Sequence, residues 1–162
     1  HAYPLSELQA TVLLPQLERL DERNRERASN VSKLAQSLKA VSGLRPLDNR
    51  GAPVSPGYYK LGFQYDPNEF DGLSRDMFAQ AARSEGIEFN AGFRALHLCR
   101  SSRRFRKAGE LAVAAVADAN MLTLHHPALL AGDEAIDQIA RAVTKIRAWA
   151  GPIKNAMTRQ RS

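Results

Sequence analysis

The chain has 162 residues, 44% hydrophobic and 25% charged, which is the balance of one globular domain with its own core and argues against disorder except at the ends. Its single cysteine, Cys99, excludes an intrachain disulfide framework and points to a reducing, cytoplasmic setting, and no apolar run approaches the roughly 20 residues of a membrane helix. The net charge of +6 suggests a polyanionic partner, yet no zinc-finger spacing, helix-turn-helix pattern or aromatic-interleaved RNA motif accompanies it, so nucleic acid is not favoured.

The chain begins His1-Ala2-Tyr3-Pro4-Leu5, without a starting Met and without the basic head and apolar run of a signal peptide; the expectation is a start inside a longer product. Ser6-Glu7-Leu8-Gln9 reads as a capping box. From there Leu8, Val12, Leu17, Leu20, Val31, Leu34 and Leu38 keep a helical period to about Ala40, with a kink or a break expected at Pro15 and a stop at Gly43. The charges of residues 18–27 alternate in sign, as on a solvated helix face.

Residues 44–47 and 58–65 are predicted strands, the second with Tyr59, Leu61, Phe63 and Tyr65 on one face; 48–57 is a loop by its turn chemistry. A second helix starts at the N-cap Ser74 with a Leu73–Phe78 staple and ends at Gly86. Ile87-Glu88-Phe89 is a short strand, followed by a loop to about Lys107. A third helix is expected over about 108–118, a strand at 121–124, and a last helix from Gly132-Asp133 with Ile136, Ile139, Ala140, Val143 and Ile146 on one stripe. Gly151-Pro152 is read as its end, with 151–162 a frayed polar tail. The order argues a two-layer α+β sandwich: a small antiparallel or mixed sheet covered by helices, with a long kinked N-terminal helix.

Little in the chain could carry chemistry alone. There is no phosphate-cradling glycine loop, no nucleophile signature surrounds Cys99, and the adjacent His125 and His126 would point to opposite faces of a strand, so no catalytic or metal-ligating residue is assigned. Two loops remain. In the first, Asn90 to His97, Arg94 can grip a carboxylate or phosphate and His97 can exchange a hydrogen bond near neutral pH. Equally, Phe93 and Leu96 can pin that loop to the core and leave Arg94 and His97 solvated, and the residue types alone favour this second reading. The other loop, Leu124 to Leu130, reads as a structural strand exit. An unmixed basic run, Arg100, Arg103, Arg104, Arg106 and Lys107, follows the first loop.

The ordered set of landmarks resembles the C-terminal part of DegT/DnrJ/StrS-type aminotransferases. It comprises Ser6-Glu7-Leu8-Gln9-Ala10, Gln16 to Asn24, Val41-Ser42-Gly43-Leu44, the Tyr58 to Tyr65 strand, Glu85-Gly86-Ile87, the Gly92 to His97 loop, and His126-Pro127-Ala128-Leu129-Leu130 before the final helix. The resemblance covers about residues 1–150 and implies a fold-type I aminotransferase small domain. It implies pyridoxal phosphate as the cofactor of a larger homodimeric enzyme that aminates a keto sugar, commonly nucleotide-linked. The cofactor would sit on an N-terminal domain, and none of the six lysines here has the context of the cofactor lysine, so this chain alone is expected to hold no cofactor and to be inactive. The family's Asn-x-Arg, an Asn of which reaches the cofactor phosphate, is replaced by Ala2-Tyr3-Pro4, and no cofactor-binding position is assigned. The family's Tyr-x-Pro-Leu-His loop reads Phe93-Arg94-Ala95-Leu96-His97, which makes Phe93, Arg94 and His97 the expected substrate-binding residues. A different outcome is a stand-alone binding or scaffold module of the same fold that holds an anionic partner through the basic run.

Overall fold

The computed structural model describes residues 4–48, 51, 54–92 and 94–160. Helix α1 (Glu7–Glu18) opens on the expected capping box: the Ser6 hydroxyl accepts from Gln9 N, and the Gln9 side chain accepts from Ser6 N at 2.9 Å. Pro15 lies inside α1 without ending it. The break falls at Arg19, and α2 (Leu20–Ser37) continues beyond it. Packing accounts for the difference between the two halves. Helix α2 buries Arg27, Asn30, Val31 and Leu34, whereas α1 buries nothing, so no core contact holds α1 collinear with α2. Leu8, Val12, Leu17 and Leu20, which continue the helical period of α2 in the sequence, are exposed.

Four strands follow, β1 (Leu44–Pro46), β2 (Lys60–Tyr65), β3 (Phe89–Ala91) and β4 (Met121–His125). They form one sheet of order β1-β2-β4-β3 with every pairing antiparallel. The register puts Phe63 opposite Leu122, and Leu124 opposite both Leu61 and Phe89, so one face is continuously apolar. Helices α2, α3 (Arg75–Ser84) and α6 (Asp133–Ala148) cover that face. Tyr65, Phe70, Phe78, Phe89 and Phe63 pack there with successive ring centroids 5.0 to 5.6 Å apart. The Tyr65 hydroxyl donates to Leu73 O at 2.7 Å, which satisfies the one polar atom of this cluster; burial, helped by the nearby Asp66 carboxylate, pushes its pKa well up. The opposite face carries Arg45, Lys60, Gln64, Asn90, Thr123 and His125 and has no helical layer across its full width.

Several boundaries move for identifiable reasons. The predicted strand at 87–89 starts at Phe89, because Ile87 is consumed in closing α3. Gly86 takes φ +81°, Gly86 N donates to Arg83 O, and Ile87 N donates to Ala82 O, the paired bonds of a Schellman motif. Tyr59 does not join Leu61, Phe63 and Tyr65 on the core face: Tyr58 sits at φ 45°, β2 starts only at Lys60, and Tyr59 is 66% exposed. The loop to Lys107 contains α4 (Leu96–Cys99), and the third helix, α5, spans Ala112–Asn120. The expected frayed tail is a helix as far as Arg159. Trp149 breaks α6, and α7 (Ala150–Arg159) places Pro152 in its first turn, where a missing N–H costs nothing. Ala150 is buried, and Ile153 and Met157 pack against the core.

Gly43 shows why a strand can start so soon after the first helical layer. Its φ is +86°, and a Cβ built there would meet Glu69 Cβ at 2.4 Å and Phe70 Cε2 at 2.9 Å. Only glycine allows this turn and this approach together.

Candidate functional site

At the end of β3 the chain turns beneath Met121. Gly92 N donates to Met121 O at 3.1 Å, and a Cβ at Gly92 would stand 2.9 Å from Met121 Cβ. The loop then leaves the sheet and is fastened by Asp118, near the end of α5. The Asp118 carboxylate accepts from Ala95 N at 2.7 Å and faces Arg94 Nε at 3.9 Å. The Asp118 carbonyl accepts from the Arg75 guanidinium, which also pairs with Asp76 at 2.9 Å. The Asp118 side chain is mostly buried, so this charge-assisted anchor is worth more than a surface pair.

Two of the expected site residues, Arg94 and His97, are described. Arg94 is exposed with its guanidinium drawn towards Asp118, and His97 is half-buried on α4. Phe93 lies outside the described residues, as do Ala2 and Tyr3 of the replaced Asn-x-Arg. Leu96 does not pin the loop as expected: it is 67% exposed, Leu98 is exposed beside it, and among the described residues Asp118 ties the loop at Ala95 N. Asp118 had no signal of its own in the sequence, since its role depends on α5 and β3 being brought side by side. The same end of the sheet holds a polar groove of about 540 Å³ lined by Arg45, Gln64, Asp66 and Asn120, in which Arg45 donates to Gln64 at 2.7 Å. Arg100, Arg103, Arg104 and Arg106 are exposed, and Lys107 meets Glu110 at 3.3 Å.

At the other end of the sheet, a groove of about 710 Å³ is lined by Lys60, Glu88, Asn90 and His125. His125 and His126 do not diverge across a strand. The strand ends at His125, and both rings meet Tyr59, with centroids 5.7 and 5.2 Å away. Behind His126 lies Arg27, buried and donating to Gly57 O at 2.7 Å and to the Asn24 side chain. Burial lowers the pKa of His126, and the positive charges of Arg27, His125 and Arg23 lower it further. Among the described residues no group of three or more His, Cys, Asp or Glu side chains converges on a metal position.

Lysines matter for a cofactor held through an amine. Lys33 pairs with Asp133, Lys145 with Glu85 at 2.7 Å, and Lys154 donates to Asp71 O, all on outer surfaces; Lys39 is exposed and Lys60 stands on the open sheet face. These positions do not fit an enclosed seat for a pyridine ring and its phosphate.

The profile of the DegT/DnrJ/EryC1/StrS aminotransferase family matches residues 1–144. The chain belongs to that family. It is 32% identical over 167 residues to the L-glutamine:2-deoxy-scyllo-inosose aminotransferase of Streptoalloteichus tenebrarius, covering 93% of this chain and 39% of that protein. The enzyme of the same name from Micromonospora echinospora is 31% identical over 156 residues, covering 88% and 37%. Among solved structures, the aminotransferase TlmJ from Streptoalloteichus hindustanus superposes with a TM-score of 0.67 at 26% identity, covering 82% of this chain and 34% of that one. Helicobacter pylori PseC shares the fold with a TM-score of 0.75 at 15% identity, over 91% and 39%. The chain spans between 20% and 39% of the length of the curated relatives it matches. Members of the family are pyridoxal-phosphate-dependent aminotransferases. Among the described residues no helix is long and apolar enough to cross a membrane.

Proposed function

We propose that the chain works as the small domain, about residues 1–150, of a pyridoxal-phosphate-dependent aminotransferase acting on a keto sugar or its carbocyclic analogue, with glutamine as the amino donor. The observation that carries this is the family match over residues 1–144 on a chain whose first helix buries none of its side chains. Leu8, Val12, Leu14 and Leu17 are all exposed on α1, as are Val113 and Val116 on α5, and apolar side chains gathered on one exposed helix mark an interaction surface. A cofactor-bearing domain docked on α1, within a cytoplasmic homodimer, would cover it. When bound there, the cofactor supplies the electron sink for amino transfer. This chain would supply Phe93, Arg94 and His97 to orient the substrate, with Asp118 holding the loop, and would perform no proton transfer itself.

A nucleotide-linked substrate is a second reading, favoured by the basic run Arg100 to Lys107 directly after the substrate loop: a diphosphate would bind there, with affinity that weakens with salt. The scaffold-module reading uses the same run but needs no partner on α1. The test is to co-express the chain with the cofactor domain of the Streptoalloteichus tenebrarius relative and follow amide exchange. A stable complex in which α1 becomes protected is expected. Failure to associate, with α1 unprotected at every ratio, would turn the argument to the scaffold reading.

A further inference from the structure

Arg27 is a charge buried without a countercharge. It keeps only 7% exposure on α2, and its guanidinium donates to Gly57 O at 2.7 Å and to the Asn24 side chain, both neutral acceptors. All 17 Asp and Glu of the chain are among the described residues, and none of them pairs with Arg27. Arg23, one turn earlier on the same helix, is half-buried and donates to the Gln16 side chain at 2.8 Å; it too has no acid partner among the described residues. A buried ion is normally paired or bound to a ligand, because losing water around a bare charge is costly.

A second unmet group stands beside it. His126 Nδ1 is buried with no hydrogen-bond partner among the described residues. The charges that act on His126 from α2 and from β4, namely Arg27, Arg23 and His125, are all positive, and Lys60 lies opposite His125 in the β2–β4 register. Tyr59 forms the rim. The left-handed conformation of Tyr58, φ 45°, turns Tyr59 off the core face, and its ring stacks on His126 and meets His125 edge-on. His126 N donates to Tyr59 O at 3.1 Å, which fixes the rim to the strand exit, and Tyr59 itself is exposed.

One ligand chemistry answers both deficits. An oxyanion accepts from a guanidinium fork and from an imidazole N–H, and supplies the missing negative charge. A carboxylate brings one charge in one plane. A tetrahedral dianion brings two, matching the two guanidiniums, and spreads its oxygens towards donors on separate elements.

We infer that Arg27, Arg23 and His126 form a binding site for a phosphate group, free or carried as an ester. The site adjoins the His125 end of β4, whereas the substrate loop leaves the sheet beside Met121, so the length of the strand, about 13 Å, separates the two. The inference uses only α2, β4 and the turn before β2, and it stands whether or not the aminotransferase reading does.

Sulfate is the first probe, since its charge is constant across neutral pH. The imidazole resonances of the four histidines are followed by NMR against pH, and His126→Gln identifies the one that belongs to the site. Sulfate is expected to raise the His126 pKa by about one unit, equivalent to about tenfold tighter binding once the ring is protonated. Chloride at equal ionic strength should leave it unchanged. Arg23→Gln and His126→Gln should each weaken sulfate binding about tenfold; they lie on different elements, so the result does not rest on the folding of either variant. Inorganic phosphate and a sugar phosphate are then compared, the tighter of the two telling the free ion from an ester. Equal effects of sulfate and chloride, acetate binding as tightly as sulfate, or sulfate binding untouched by both variants overturns the inference. So do sulfate shifts confined to the Arg100 to Lys107 run.

Discussion

Two side chains carry measurable consequences at the residue scale, and only His126 stood out in the sequence. Asp118 ties Ala95 N at 2.7 Å from an almost buried carboxylate. Its replacement by Ala leaves that amide without a partner and frees Arg94. Local opening of the loop should become easier by about 1–2 kcal/mol, read as about tenfold faster amide exchange at Ala95 with little change in global stability. His126 sets a pH dependence. Its Nδ1 is buried with no hydrogen-bond partner among the described residues, and its pKa in the folded chain is lowered from the ordinary 6.5 by burial and by Arg27, His125 and Arg23. The unfolded chain therefore takes up the proton first on acidification. The stabilising contribution is complete above pH 6.5 and is lost as pH falls through the folded value. The melting temperature should drop between pH 7.5 and 5.5, and His126→Phe should flatten that drop without lowering stability at pH 7.5. Arg94 and His97 stood out in the sequence because they fall in a recognisable loop, and their binding role is proposed. Asp118 was not, because its partners are 23 and more residues away in sequence and meet it only through the β3–β4 pairing.

Among the elements, those with a one-sided apolar pattern were read closely. The α3 stripe with its Ser74 cap and Leu73–Phe78 staple, the α6 stripe, and the β2 and β4 strands lie where periodicity puts them, because each has a core to face. Elements without that constraint shifted. Helix α1 carries leucines on several sides and buries none, so its break comes at Arg19 and not at Pro15. Helix α7 was hidden because Gly151-Pro152 signals an end, whereas Pro in a first turn equally signals a start. The exposure of α1 makes a prediction of its own. Leu8→Ser together with Leu17→Ser should leave the melting temperature of the isolated chain unchanged, a difference within about 0.5 kcal/mol, while abolishing assembly with a cofactor domain. Loss of global stability in that double variant would mean that α1 is held by the core after all.

As a whole, the molecule is an antiparallel sheet with helices packed on one face and a polar, largely open face on the other; its apolar first helix is exposed, and the loop tied by Asp118 lies at the same end of the sheet as the polar groove. That layout suits a domain that closes over a substrate held elsewhere. The fold class was legible from the order of elements, and the family from the order of its landmarks, since both survive the small boundary shifts above. The account therefore makes its main claim about cofactor dependence, and one measurement meets it most directly. The purified chain is incubated with pyridoxal phosphate, passed through gel filtration, treated with borohydride, and compared with the co-expressed pair of chain and cofactor domain for amino transfer from glutamine. The account predicts that the chain alone retains no visible cofactor band and transfers nothing, while the pair does both with the cofactor fixed on the other domain. A band that stays with the isolated chain, mapping after reduction to one of Lys33, Lys39, Lys60, Lys107, Lys145 or Lys154 and accompanied by turnover, would contradict it.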